Sequence, residues 1–428
     1  MNASPDNQTV TWCRDLPVRY ETDVAVIGGG IAGACAAAAA AAGGARVILV
    51  ERFAVTGGMM TVGGVGNWCG QTRGQGEVFD EILSGLEAFG ALGPPRQDAH
   101  GAESRIFDHE ILAVVLQELL LRRGVKLLLH ARFADARVRN GQITECAICG
   151  QSGLEALRAR QFVDCTGEGQ VARAAGLATM KGREPDGAQI AMSLMYFLRE
   201  TPEPPGPQVP EGWFQAIRSP EELPMTSVWP NGPGGKALKV KVPGFDSSDT
   251  ESMTAAEIHG RRRMMAVLDY YQRVENRPWR FDHCSPIIGI REGRRIVGDY
   301  VLTADDLRAG RAFDDGVARG TFWLDAISPD DDKRTYLLPE DQRRVPPYQI
   351  PLRALIARDG RNLTMAGRCF SCDQLALSSA RVATTGAMMG QAAGIAAALA
   401  ATRRCDPRDL DPRQVQQLVR DRGAVLDV

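Results

Sequence analysis

The run Asp23-Val24-Ala25-Val26-Ile27-Gly28-Gly29-Gly30-Ile31-Ala32-Gly33 constrains this chain more than any other stretch. Residues 23–28 are β-branched, uncharged after Asp23 and end in glycine, the pattern of a buried strand. An alanine-rich helix is expected over 31–43, and a second buried strand over 46–51, Arg-Val-Ile-Leu-Val-Glu. Strand, glycine turn, helix and strand make a parallel βαβ unit, whose crossover is almost always right-handed. Gly28, Gly30 and Gly33 form a G-x-G-x-x-G placed between strand and helix. Gly28 permits the tight turn, Gly30 lets backbone approach a pyrophosphate, and Gly33 lets helix and strand pack closely. Ile31 and Ala32 open the helix, where unpaired N–H groups and the positive dipole end favour phosphate. Glu51 follows Gly28 by 23 residues, the spacing of a carboxylate that grips a ribose hydroxyl. A dinucleotide site is the expectation.

Three further segments choose FAD over NAD. Arg52 follows Glu51, and the pair Gly57-Gly58 with Met59 and Met60 comes next, an arrangement typical of the glutathione-reductase superfamily. Asp164-Cys165-Thr166-Gly167-Glu168-Gly169 ends a strand and resembles that superfamily's second FAD contact, which assigns Thr166 and Gly167. Ala366-Gly367-Arg368 closes a late strand, and a helix follows from roughly Arg381 through about Ala400. In that helix Gly386, Gly390 and Gly394 recur every fourth residue and share one face. Interior glycines cost a helix about 1 kcal/mol each, so the stripe requires a reason. Close approach to the flavin, or to the sheet beneath it, is the expected one, with the helix start aimed at the flavin pyrimidine. Phe133, in the segment Val-Lys-Leu-Leu-Leu-His-Ala-Arg-Phe read as one strand, is also counted among the FAD contacts.

Together these segments resemble the FAD-dependent oxidoreductase family, some of whose members carry the label "xanthan lyase", within the glutathione-reductase-like flavoproteins. The resemblance spans LPVRYETDVAVIGGGIAGACAAAAAAAGGARVILVER, GGMMTVGGVG, FVDCTGEG, IIGIREGRRIVGDYVLTADDL and the last segment from IPLRALIARDG to the alanine-rich helix. It implies an α/β fold of the glutathione-reductase type, a Rossmann-like FAD domain interrupted by an inserted α+β substrate domain, and noncovalent FAD. On that reading residues 1–180 and 345–428 form the FAD-binding domain. Residues 181–344, where proline and glycine cluster at 202–211 and 230–244 around one amphipathic helix at about 253–275, form the cover.

Composition excludes more than it assigns. A formal net charge of −2 gives no electrostatic reason to expect nucleic acid. The start has no basic region followed by an apolar one, and the apolar run 31–45 is too short and too rich in alanine and glycine to stay in a bilayer. Ten cysteines in 428 residues are not a disulfide scaffold, so a soluble, cytoplasmic protein is expected, with oligomerisation left open.

For chemistry, hydride removal from or delivery to a small organic metabolite needs a cation for a carboxylate or oxyanion and an acid or base. Arg291 is the leading catalytic candidate, as a substrate or flavin-O2 contact, against a salt-bridged run of Arg291, Arg294 and Arg295 with Glu292 and Asp299. His283 is the candidate acid or base, and Arg381, at the start of the glycine helix, could meet a flavin phosphate or a substrate carboxylate. His109 follows Asp108 at a helix start, where capping accounts for it. Cys146 and Cys149 face opposite sides of a strand, whereas Cys369 and Cys372 follow Gly367 and could form a flavin-coupled dithiol. No metal site is expected. The absence of a second strand-linked G-x-G-x-x-G argues against a dedicated NAD(P)H domain. The absence of the hydroxylase GD motif and the halogenase tryptophan signature leaves a dehydrogenase or reductase with a small-molecule substrate and an external electron donor or acceptor. An oxidase using O2 and an electron-transfer subunit are the alternatives.

Overall fold

The computed structural model describes residues 9–428 apart from Ala99 and Pro185, so residues 1–8 of the expected first segment lie outside the described residues. Its central sheet runs in the order Lys126–Leu128, Val47–Val50, Val18–Ile27, Gly153–Asp164, Gln142–Gly150, Arg132–Arg139, with Leu363–Met365 added beside Gly153–Asp164. The first three strands, Gly153–Asp164 and Leu363–Met365 pair in parallel, while Gln142–Gly150 forms antiparallel hairpins on either side. Register fixes what this sheet presents at its edge. Ile27 stands opposite both Val50 and Asp164, and Met365 stands opposite Asp164. The segments that follow these strands therefore open at one end of the sheet, where α/β folds bind ligands.

Alternation along Val18–Ile27 feeds two cores. Val24 and Val26 pack with the helix Ile31–Ala42, with His109–Arg122 and with Ala383–Arg403, whereas Ala25 and Ile27 point into a second layer with Phe162, Ile296 and Leu363. Ala34 to Ala40 are all fully buried, since Ile31–Ala42 is enclosed by the sheet and Ala383–Arg403. The segment read as one strand over 125–133 is two. Lys126–Leu128 ends before His130, whose φ of 54° turns the chain out of the parallel sheet and into Arg132–Arg139.

A second, antiparallel sheet stands apart in the order Thr226–Pro230, Gly235–Val242, Met192–Glu200, Trp279–Cys284. Tyr196, Leu198, Leu238 and Val240 of one face pack on Met264, Val267 and Leu268 of the helix Thr250–Arg273. The opposite face carries Met195, Phe197 and Ala237 against Val65, in the loop that follows the Gly57-Gly58 turn. Leu302, Leu307, Val317, Ala318 and Leu324, although within 181–344, pack in the core around the helices Ile31–Ala42 and Ala383–Arg403. Among the described residues no single helix is long and apolar enough to cross a membrane. The helices Gln374–Ala380 and Ala383–Arg403, apolar as a pair, meet at 95°.

Candidate active site

The turn after Ile27 is built for close approach. Gly28 has a φ of 99°, and a Cβ there would lie 2.4 Å from the carbonyl oxygen of Cys165. Gly30 adopts extended backbone, φ −62° and ψ 177°, and a Cβ on it would meet no atom within 4 Å. The space in front of Gly30 belongs to a cavity of about 350 Å³, within the ordinary size range of small-molecule sites. The Gly57 N–H donates to the Gly29 carbonyl at 2.7 Å, which holds the second glycine pair against the first.

The carboxylate of Glu51 is 4 % exposed and accepts from the backbone N–H of Gly29 at 2.6 Å and of Phe53 at 2.9 Å. Burial raises its pKa against those bonds, and Glu51 lines the cavity with capacity to accept further hydrogen bonds. Asp164, fully buried, accepts from Thr166 N at 3.0 Å, Thr166 Oγ1 at 2.7 Å and Val171 N at 2.9 Å. It thereby ties the Thr166-Gly167 turn to the sheet edge. Arg368 pairs with Glu168 at 3.3 Å.

Two helices point uncapped starts at this cavity. Ile31–Ala42 begins at Gly30 and Ala383–Arg403 at Val382, and neither has a side-chain cap. By contrast, His109–Arg122 and Thr250–Arg273 are capped by Asp108 and Asp249. The open N–H groups of the first pair of helices are available to a phosphate or to a developing negative charge.

Gly28, Gly30, Ile31, Ala32, Glu51, Arg52, Gly57, Gly58, Met59, Met60, Phe133, Thr166, Gly167, Gly367, Arg368 and Gly386 all line the cavity, as do Arg291 and Arg381. Gly33 and Gly390 do not. A Cβ on Gly33 would lie 1.8 Å from Gly28 O, and one on Gly390 would lie 2.1 Å from Ala32 O. Gly394 repeats the contact on Ala36 O at 2.2 Å, so Gly390 and Gly394 seat one helix on another, while Gly386 at the head of the stripe faces the cavity. The cradle fits a dinucleotide: the first turn after Gly30 would hold the pyrophosphate and Glu51 the adenosine ribose.

His283 does not reach the cavity. It is on the strand Trp279–Cys284, its side chain is 44 % exposed, and it stacks on Phe197 at 4.4 Å, with His109 on that ring's other contact at 5.2 Å. Six residues of loop, 285–290, separate its strand from Arg291, whose guanidinium is placed by a different contact, the backbone pairing of Gly289 with Ser193. A metal-sized grouping does occur there: donor atoms of His109, Glu110 and His283 lie within 4.8 Å of one another, outside the cavity. Cys369 and Cys372 are fully buried, do not line the cavity, and have thiols pushed upward by burial, so the dithiol reading has no access to flavin.

Sequence reasoning missed Ser193, Met195, Trp229, Lys239 and Asp325, which line the end of the cavity opposite the glycine turn's cradle. The one signal for Lys239 was the alternation Ala237, Lys239, Lys241 in Gly235–Val242, with Leu238 and Val240 on the other face. The structural-run alternative for Arg291 belongs to its neighbour: Glu292 pairs with Arg295 and accepts from Ile190 N and from Gln374.

No curated protein matches this sequence. Among solved structures, a geranylgeranyl bacteriochlorophyll reductase-like protein from Thermoplasma acidophilum is similar with a TM-score of 0.51 at 14 % identity, over 94 % of this chain and 84 % of that one. The OxyS anhydrotetracycline hydroxylase from Streptomyces rimosus gives a TM-score of 0.49 at 13 % identity, over 93 % of this chain and 65 % of that one. CabE, an aromatic hydroxylase from angucycline biosynthesis, gives 0.49 at 15 %, over 94 % and 68 %. At these identities the first of the three bears on the fold alone, that of a mixed α/β protein with a parallel sheet. A model of the family described as FAD dependent oxidoreductase matches residues 23–419. With nearly its whole length matched and a dinucleotide cradle at its sheet edge, the chain belongs to the FAD dependent oxidoreductase family, is an enzyme and takes FAD as its cofactor.

Proposed function

We propose that this enzyme is a dehydrogenase or reductase that passes a hydride between a small organic metabolite and N5 of noncovalently held FAD. The observation that carries the reading is that one cavity has two unlike walls. The dinucleotide cradle forms one wall, and Met195, Trp229 and Lys239 of the antiparallel sheet form the other. FAD supplies the two-electron redox centre when bound. The chain's own residues bind and orient: Met195, Trp229 and Ile290 exclude water, Arg291 offers a fixed cation, and the start of Ala383–Arg403 would stabilise negative charge at the flavin pyrimidine. On this reading 1–180 with 345–428 is a glutathione-reductase-type FAD unit, 181–344 is its cover apart from the stretch 302–324 that packs in the FAD unit's own core, and the protein works in the cytoplasm with an external electron donor or acceptor.

The visible spectrum of purified protein is the first test, with chromatography of what acid releases; FAD at about one per chain is expected from a single cradle. Small organic metabolites are then screened for bleaching the flavin without oxygen. A flavin that none of them bleaches, and that accepts no electrons from a reduced donor either, would sink the redox reading. Admitting air separates the two electron acceptors: slow reoxidation fits a dehydrogenase, and fast reoxidation with peroxide replaces that reading by an oxidase. Arg291→Ala is expected to keep FAD while the bleaching rate falls on the order of 100-fold, the loss typical for one charge-stabilising donor. Unchanged bleaching would remove Arg291 from the site.

A further inference from the structure

Two sets of charges act on the cavity's cationic residues, and they share no member. Glu51, Glu168, Arg368 and Arg132 are the charges that act on Arg52, at the adenosine end. At the other end Lys239 feels Arg291, Asp325, Cys69 and Arg381, and Arg291 feels Arg381, Asp325 and Tyr336. This second set holds three cations against one carboxylate, and that carboxylate is already taken, since Asp325 pairs with Arg381 at 2.6 Å. Lys239 Nζ has neither a hydrogen bond nor an ion pair with any described residue. Two positive charges stand uncompensated on the wall opposite the cradle.

Arg291 adds a shape requirement. Its side chain is 8 % exposed, and Nη1 donates to Ala191 O at 2.6 Å and to Ser193 Oγ at 2.7 Å. Those two bonds, together with the Gly289–Ser193 pairing, fix the guanidinium plane. Nε and Nη2 make no hydrogen bond to a described residue. That free edge is the fork that matches the two oxygens of a carboxylate. We propose that Lys239 and the Nε/Nη2 edge of Arg291 form a subsite for the carboxylate of a small organic acid, which makes the substrate class an organic anion. The proposal rests on the redox reading above and names the substrate class of the same site.

Burial beside Arg291 and Arg381 lowers the Lys239 ammonium to about 8, against the opposing pull of Asp325, while burial raises the facing Cys69 thiol to about 11. Lys239 is therefore charged below that pH and neutral above it, so carboxylate binding should weaken as pH rises through about 8.

The test titrates the FAD-loaded enzyme with oxalate, malonate and succinate and follows the flavin absorption band, with sulfate and the neutral malonamide in parallel. Saturable binding of at least one carboxylate, but not of malonamide, is expected, and sulfate should bind more weakly because it lacks the planar match. Lys239→Met should weaken that carboxylate by roughly tenfold or more. Lys239→Arg should retain it and abolish the step at pH 8, and Arg291→Lys should weaken it while retaining the step. Equal response to malonate and malonamide, or no saturable binding of any of the three acids, would overturn the subsite. So would an unchanged carboxylate affinity in Lys239→Met with a lowered flavin potential, because the ammonium would then serve reduced flavin rather than substrate. An uncharged compound that bleaches the flavin would refute the subsite and leave the redox reading standing. FAD-loaded enzyme that binds carboxylate saturably, while no metabolite bleaches its flavin and no reduced donor reduces it, would do the reverse.

Discussion

Gly30→Val is expected to yield a folded protein that does not retain FAD. The backbone at Gly30 is extended, φ −62° and ψ 177°, a conformation that valine adopts readily, and no protein atom lies within 4 Å of where its Cβ would sit. The apoprotein therefore has no reason to be disturbed. The added methyls project instead into the cavity in front of the Ile31–Ala42 start, where a pyrophosphate must come within hydrogen-bond distance of the open N–H groups. Losing that approach should weaken FAD by about 100-fold or more, equivalent to about 2.7 kcal/mol. The measurement is flavin content after gel filtration, with the urea midpoint compared against flavin-stripped wild type, since loss of ligand by itself lowers apparent stability. A yellow, stoichiometric Gly30→Val would place the pyrophosphate elsewhere.

The reason this residue was legible in sequence is that backbone geometry allows little choice there. A strand, a left-handed turn and a helix approached by phosphate demand glycine at fixed spacing, and Glu51 must close the next strand to reach the ribose. The same holds for Thr166 and Gly167, which Asp164 anchors at the edge of the sheet. Parallel register then brings these turns to one end, so separate motifs could be read as one site.

The opposite wall obeys no such local rule. Lys239 is on a strand of the second sheet, Asp325 on a loop, and Arg291 on a segment strapped to Ser193; only the fold brings them together. His283 was drawn in by nearness to Arg291 in sequence, but the strand Trp279–Cys284 presents it beside Phe197, outside the cavity. The split at His130 was equally hidden, because an apolar run of that length reads as one strand until a positive φ interrupts it.

The glycine stripe serves two partners, Gly386 facing the cavity and Gly390 and Gly394 the helix Ile31–Ala42, and Gly394→Ala tests the second. Were Gly394 a neutral feature of the helix, alanine there would raise helix stability by about 1 kcal/mol. The structure instead places its Cβ 2.2 Å from the Ala36 carbonyl oxygen, a backbone atom that a rotamer change cannot move aside. Helix Ala383–Arg403 must then shift away from Ile31–Ala42 across an interface built of alanine and glycine, opening gaps along its whole length. Overpacking of this kind costs about 1–3 kcal/mol, so the sign of the change is the discriminating result. Ala36, unlike Ala32 beneath Gly390, does not line the cavity. Gly394→Ala should therefore lower the urea midpoint while the folded fraction still carries FAD at the wild-type ratio. A raised midpoint would mean that the two helices are not in contact at this glycine, and the close-packing account of the stripe would fall with it.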